Sequence, residues 1–397
     1  MFRWTDGPSE STGESNLDAQ WEDVRTRRPI PVRQGAEIGA KFLMSRQHGK
    51  AIEVYREILR EAPSYQDALQ GMGTALLRTE RYEEAQQVLL EAMQRSPQDV
   101  DIKLKLGTAY KEVGRLQQAI DIFEEVRREC PNELAAHVLL AQTELMRGEY
   151  DNAMRAYTVG SACPGNKTVL RAVYWTILAL QNRIRDLEEW ADPKQLVRVV
   201  HCDNALVQSL NLGLKRQILD SPGTRPLGSQ RTLHLTDMVA PDHHGQSIKA
   251  FHDMTRSEIE RYIDQPHIAA VMPELHDMET AWLSVWALIF REKGNLDGHF
   301  HQAALVSGAY YVQCGNVGGP DTREGWISFG MLPKEIERGM PSTPLKEACR
   351  RLSWAIRPED GMMVLFPSFL FHGTIPTQTG DRRICLGLDL RPGEFRH

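Results

Sequence analysis

The chain has 397 residues, of which 41% are hydrophobic and 25% charged, and a formal net charge of −6. That length exceeds one typical domain, so two are expected, and the composition is that of an ordinary soluble globular protein. The acidic balance gives no electrostatic footprint for a nucleic acid, and no apolar run approaches the roughly 18 residues a membrane span needs.

Residues 1–31 lack an apolar core followed by a small-residue cleavage site, so they do not read as a signal peptide. Their Ser, Gly, Glu and Arg content predicts a disordered, solvated tail. The six cysteines are scattered without a CxxC pair, which argues against a zinc ribbon or a disulfide scaffold. Reduced thiols and a cytoplasmic location are expected.

From residue 32 the chain repeats itself. Gly39, Gly73, Gly107 and Ala141 recur every 34 residues, as do Ala51, Ala85, Ala119 and Ala153. A larger residue keeps the same beat at Tyr55, Leu89, Phe123 and Tyr157, and Pro63, Pro97, Pro131 and Pro164 punctuate the units. Small residues let paired helices approach, the larger side chain fills the gap between repeats, and proline stops the second helix. At these residues the sequence resembles the tetratricopeptide repeat family, with units near 32–65, 66–99, 100–133 and 134–167. The resemblance implies an α-solenoid, which residues 168–190 are expected to cap, giving a repeat domain over 32–190. A concave groove of this kind is expected to bind a protein or peptide. Ala36, Ala40, Gln70, Thr74, Leu104 and Thr108 stand where chaperone-tail binders of the family carry Lys and Asn, which speaks against that partner. The sequence leaves the oligomeric state open.

After residue 190 helical text continues briefly, a Pro/Gly-rich stretch follows at 220–230, and 245–265 predicts a further helix. From 281 onward, short apolar or alternating runs separated by Gly, Pro, Asn and Asp predict strands of a sandwich or barrel. His299 and His301 lie two apart, so a strand would point both the same way, and His372 follows about 70 residues later. Neutral imidazoles bind Fe(II), Zn(II) or Cu(II), although an HxH pair alone is also met as a hydrogen-bonded or exposed pair. Arg383 lies eleven residues beyond His372, and a guanidinium there suits the distal carboxylate of a dicarboxylic cosubstrate or, more plainly, a surface ion pair. Trp282 and Trp286 read as core. Ser307 is a lesser candidate for a pocket contact, Cys314 and Cys385 read as buried small residues, and His243 and His244 as surface.

In order along the chain, WALIFREKGNLDGHFHQAALVSGAYYV, GWISFG, PEDGMMVLFPSFLFHGTIP and DRRICLGLDLRP resemble the 2-oxoglutarate–Fe(II) oxygenase family that is often joined to tetratricopeptide repeats. The match is dense from Trp282 to Pro392. It implies that 191–397 form a double-stranded β-helix, a jelly roll with bracing helices, acting as a dioxygenase that hydroxylates its substrate. The resemblance makes His299 and His372 iron ligands, and Arg383, with Tyr311, the anchor of 2-oxoglutarate. The wider superfamily carries His-x-Asp or His-x-Glu where this chain has His299-Phe300-His301. Three readings stay open: His301 replaces the carboxylate, His301 orients the cosubstrate, or Asp297 turns inward. Two further alternatives are a cupin-type metalloenzyme, for which Leu305 and Val306 replace the wanted glutamate, and a non-catalytic scaffold.

Overall fold

The computed structural model describes residues 2–5, 14–27, 29–202, 204–220, 224–226, 232–235, 246–290, 294–333, 336, 342–377 and 382–394. His243 and His244 lie outside the described residues. The chain divides into two compact units, Glu10–Cys163 on one hand and Met1–Ser9 with Pro164–His397 on the other. Among the described residues no helix is long and apolar enough to cross a membrane, and the six cysteines are all free thiols.

The first unit is a helical repeat array. After α1 (Glu14–Thr26) come four helix pairs: α2 (Val32–Met44) with α3 (His48–Glu61), α4 (Gln66–Arg78) with α5 (Tyr82–Arg95), α6 (Val100–Glu112) with α7 (Leu116–Glu129), and α8 (Leu134–Arg147) with α9 (Tyr150–Ala162). Two columns of the repeat meet inside each pair. A methyl group at Gly39 would stand 2.7 Å from the Tyr55 ring and one at Gly73 2.5 Å from Leu89, while one at Gly107 would run into Phe123. Tyr55 also abuts Gly71 of the next pair, so the large residue fills space within its own repeat as well as between repeats. Pro63, Pro97 and Pro131 follow residues with φ near −130°, off the helical region, because proline's ring disfavours α geometry before it. The expected tail is corrected in its second half. Residues 14–26 are helical because Leu17, Trp21 and Val24 form a buried stripe at helical spacing.

The second unit carries two sheets. The strands are β1 (Arg3–Trp4), β2 (Arg198–His201), β3 (Thr224–Pro226), β4 (Thr232–Leu235), β5 (Thr280–Phe290), β6 (Val306–Gln313), β7 (Ile327–Phe329), β8 (Trp354–Ile356), β9 (Met362–Pro367), β10 (His372–Thr374) and β11 (Arg383–Pro392). The larger sheet runs β2-β9-β6-β11-β5-β4-β3, and the smaller runs β10-β7-β8. Neighbouring strands are antiparallel throughout, except that β1 pairs parallel with the outer end of β5. Phe329 of the small sheet meets Phe366 of the large one edge-on at 5.1 Å, so the sheets face each other as the layers of a jelly roll. A helix at Gln246–Ile263 stands where the sequence predicts one. Helical text was expected across 192–219, but Arg198–His201 forms an edge strand on β9, four residues being too short a run to stand out against the helices beside it.

The helices α10 (Thr168–Leu180) and α11 (Ile184–Ala191) were expected to cap the repeats, yet they belong to the second unit. Arg171 forms a buried bidentate pair with Glu274 and donates from Nε to the Val271 carbonyl at 2.9 Å. Thr168 donates to the Ala304 carbonyl at 2.6 Å, Trp175 meets Phe371 edge-on, and Trp190 stacks on Phe369. This segment therefore backs the loop that follows His301 and the turn that precedes His372.

Candidate metal centre

Three histidines converge. His299 and His372 pair as a two-residue antiparallel bridge, with His299 N–H donating to the His372 carbonyl at 2.9 Å and the reverse bond at 3.0 Å. The His301 amide donates to Ser368 O at 3.1 Å. One ring nitrogen from each of His299, His301 and His372 lies within 4.8 Å of the others. The bridge is tight because Gly298 and Gly373 flank it. A side chain at Gly298 would strike the Met331 and Leu332 carbonyls, and one at Gly373 would stand 2.8 Å from Leu296 O.

The tautomers follow from the partners. His299 Nδ1 lies 2.8 Å from the Asp297 carbonyl, His372 Nδ1 2.9 Å from the Leu370 carbonyl, and His301 Nδ1 2.6 Å from Asp389 Oδ1. Carbonyls and carboxylates only accept, so each Nδ1 carries a proton, and in neutral His299 and His372 the Nε2 keeps its lone pair. Burial pushes the His299 imidazole down to about 4, helped by the neighbouring His301. Burial, then the two other rings, holds His372 well below the usual histidine range. Neutral imidazoles with free Nε2 lone pairs are the form that takes a divalent ion.

Asp389 was missed by the sequence reading. It is buried, two residues from the end of the alternating face Arg383, Cys385, Gly387, Asp389 and Arg391, and it sits opposite Ser307 on β6 and Ser284 on β5. Ser307 donates to the same Oδ1 at 2.7 Å and lies 2.7 Å from the Ser368 hydroxyl. Burial pushes the Asp389 carboxyl up, but His301, Ser307 and Arg391 together hold it below the usual range. Ser307, the lesser candidate for a pocket contact, donates its hydroxyl to this carboxylate. An acid inside an otherwise apolar strand was the signal that should have found it. Asp297 gives His299 its backbone oxygen, while its side chain accepts from Asn295 at 3.2 Å.

Arg383 is buried on the same face of β11. Its guanidinium lies 4.0 Å from the Phe290 ring and donates from Nη1 to Gly325 O at 2.5 Å, while its buried Nε has no hydrogen-bond partner. Arg383 is thus buried rather than at the surface, and among the described residues it makes no ion pair. Tyr311, directly across the ladder from Cys385, is buried beside Arg383, and burial pushes its phenol far up. Cys314 and Cys385 are buried, as expected. Trp282 and Trp286 are not core: both are half-buried on the inward side of β5, with the Trp286 ring 5.6 Å from that of His301. Gly387 across the ladder leaves room for the Trp286 indole, which a side chain there would overlap.

Comparison with known proteins agrees with both halves. Residues 284–389 match the family described as "Putative 2OG-Fe(II) oxygenase", and residues 42–106 and 81–142 match "Tetratricopeptide repeat". No curated protein matches. Among solved structures, a prolyl-4-hydroxylase from Pseudomonas putida is 13% identical over 54% of this chain and 99% of its own, with a TM-score of 0.35. MamA residues 41 to the end, from Desulfovibrio magneticus RS-1, are 19% identical over 38% of this chain and 85% of their own, with a TM-score of 0.36. Superpositions this loose add nothing to the geometry above.

Proposed function

From a chain that joins tetratricopeptide repeats to a 2OG-Fe(II) oxygenase domain, we propose an Fe(II)- and 2-oxoglutarate-dependent dioxygenase that hydroxylates a protein or peptide. The observation that carries this reading is the convergence of one ring nitrogen each from His299, His301 and His372, beside a strand, β11, that carries a buried arginine with an unpartnered Nε, Arg383. His299, His301 and His372 would hold the iron. When bound, the metal would activate oxygen, with one oxygen atom going to the decarboxylated oxo acid and the other into a substrate C–H bond to give the alcohol.

The chain's own residues bind, orient and exclude water. Arg383 keeps donors free for the distal carboxylate of the cosubstrate, in the fork geometry a carboxylate matches. The Tyr311 hydroxyl, held protonated by burial, stands ready as a second donor. Phe329 and Phe366 wall in His372, with the Phe366 ring 4.5 Å from the imidazole. Of the three readings of the first ligand pair, the Asp389 contact supports His301 as a ligand. A carboxylate behind one imidazole is the usual outer partner of a metal-bound histidine, and it returns the negative charge that His-x-Asp would have brought. The side-chain bond of Asp297 to Asn295 speaks against an inward turn.

The test is anaerobic. Purified protein given Fe(II) is expected to retain one iron and to develop a 2-oxoglutarate-dependent visible absorption band. His301→Ala should abolish iron retention, and Arg383→Gln should weaken the cosubstrate and spare the metal. Succinate formed in step with substrate oxidation would complete the case. Iron without the band, or His301→Ala that keeps its iron, would defeat the assignment made here.

A further inference from the structure

The inward side of β5 is closed at one end and open at the other. Leu288 and Phe290, near Arg383, are buried, whereas Trp282, Ser284 and Trp286 alternate as half-buried residues between buried neighbours. The ladder sets Trp286 against Gly387, Ser284 against Asp389, and Trp282 against Arg391. Arg391 stacks over Trp282, 5.1 Å from its ring, and about a third of its side chain is exposed. Its Nε is nonetheless buried and has no hydrogen-bond partner. Among the described residues Arg391 is paired with Asp389, whose Oδ2 is 3.6 Å from Nη2, too long for a hydrogen bond, and whose Oδ1 is already held by His301 and Ser307. Strand β11 thus presents two inward guanidinia with unpartnered donors, Arg383 and Arg391, on either side of the residue that grips the His301 ring.

We propose that Arg391, with Trp282 and Trp286, is the substrate subsite, and that the substrate offers it an oxyanion, carboxylate or phosphate, carried on a flat or aliphatic body. This rests on the oxygenase reading, in which Arg383 is taken by the cosubstrate and Arg391 is the cation left over. A guanidinium with free donors recognises an oxyanion in fork geometry, and indole faces cover the apolar body beside it. Two residues of strand put the backbone of Arg391 roughly 7 Å from that of Asp389, so an acid held there leaves the neighbouring carbons of its substrate facing the histidines. The competing view, that Arg391 only completes an ion pair with Asp389, gives no reason for two half-open indoles beside it and predicts no preference for acids.

The experiment uses the full chain loaded with Zn(II) and 2-oxoglutarate, which does not turn over, and three matched probes: 3-phenylpropanoate, 3-phenylpropanamide and 2-phenylethyl phosphate. Affinity is read by ligand-observed NMR. One or both anions are expected to bind at least tenfold more tightly than the amide, and their ratio identifies which oxyanion fits. Arg391→Gln, compared at saturating zinc and 2-oxoglutarate, should erase the preference, and Arg391→Lys should keep part of it. Trp282→Ala should weaken acid and amide alike. Equal affinity for acid and amide, no binding of any probe, or a preference that survives Arg391→Gln overturns the proposal. The same titration on metal-free Arg383→Gln protein separates the two ideas. Failure of zinc and 2-oxoglutarate to bind sinks the oxygenase reading, whereas an acid preference that persists there upholds the Arg391 subsite by itself.

Discussion

Asp389→Asn removes a charge and little else. Asparagine keeps an oxygen that can accept from His301 Nδ1 and from the Ser307 hydroxyl, the two donors that hold the aspartate at 2.6 and 2.7 Å. Adding the width of an imidazole and a metal–nitrogen bond to the 2.6 Å contact sets the carboxylate about 7 Å from a metal on Nε2. A unit negative charge and a divalent ion at that separation attract by roughly 5 kcal/mol at an effective dielectric constant of about 20, an upper bound because Arg391 lies close to the same carboxylate. Outer partners of metal-bound histidines change metal affinity by about 10–100-fold, or roughly 1.4–2.7 kcal/mol, and the loss expected here lies in that range. The assay is competitive titration of Co(II) against a chelating indicator at pH 7.5, with the cobalt absorption spectrum reporting whether three nitrogens still coordinate. Asp389→Asn should raise the dissociation constant at least tenfold with an unchanged ligand set, and Ser307→Ala should have a smaller effect of the same sign. A dissociation constant within twofold of wild type would refute the idea that this carboxylate substitutes for a missing acidic ligand.

Arg171→Ala leaves Glu274 buried without its partner and should destabilise the second unit by about 3–5 kcal/mol, with recovery in Arg171→Met/Glu274→Leu, followed by urea unfolding. In the repeats, two glycine substitutions should move stability in opposite directions. Gly107→Ala gains about 1 kcal/mol of helix propensity but drives a methyl group into Phe123, an overpacking cost of roughly 1–3 kcal/mol, so it should destabilise; Gly49→Ala meets nothing within 4 Å and should stabilise by up to about 1 kcal/mol. The metal-free protein should lose stability as pH falls from about 6.5 toward 4. His299 is held down to about 4 and His372 well below the usual histidine range, so below 6.5 the unfolded chain binds protons the folded one refuses. Each group contributes at most about 1.4 kcal/mol per pH unit, and His299→Asn should flatten the slope measured by thermal unfolding. Asp389, with its pKa lowered, acts in a separate window: its contribution is present above the ordinary carboxylate pKa and fades only at lower pH.

What the sequence disclosed depended on whether a signal was repeated or singular. The helix pairs were legible in phase because Gly39 and Tyr55, Gly73 and Leu89, and Gly107 and Phe123 restate one steric pairing, and three copies are hard to mistake. The strands near the site were legible because turn residues bound each apolar run. The boundary at 163/164 was not, since the apolar face of Thr168–Leu180 reads the same whichever surface covers it. Only Arg171 differs, a charge on a buried helix whose partner, Glu274, lies 103 residues away. Trp282 and Trp286 misled for a related reason: alternation says which residues share a face, but not whether that face is filled.

The same distinction explains the metal centre. His299, His301 and His372 announce themselves as residue types, so their convergence could be anticipated, while Asp389 lies 88 residues beyond the imidazole it holds and matters only through it. A ligand can be guessed from its own chemistry, whereas an outer partner is defined by a contact. The departure from His-x-Asp therefore looked like a lost charge along the chain. In three dimensions a carboxylate stands behind His301 on β11, held by Ser307, whose hydroxyl in turn meets that of Ser368. That position carries a physical consequence. An acid bonded directly to a metal takes up a coordination position and donates electrons itself, whereas under the proposed reading Asp389 would act through the His301 ring, making that imidazole a stronger donor without touching the ion. Histidine at position 301 and aspartate at position 389 are then one functional unit. Transplanting an aspartate to position 301 while Asp389 remains would set two carboxylates against each other in a buried site, and should bind metal only if Asp389 is neutralised as well.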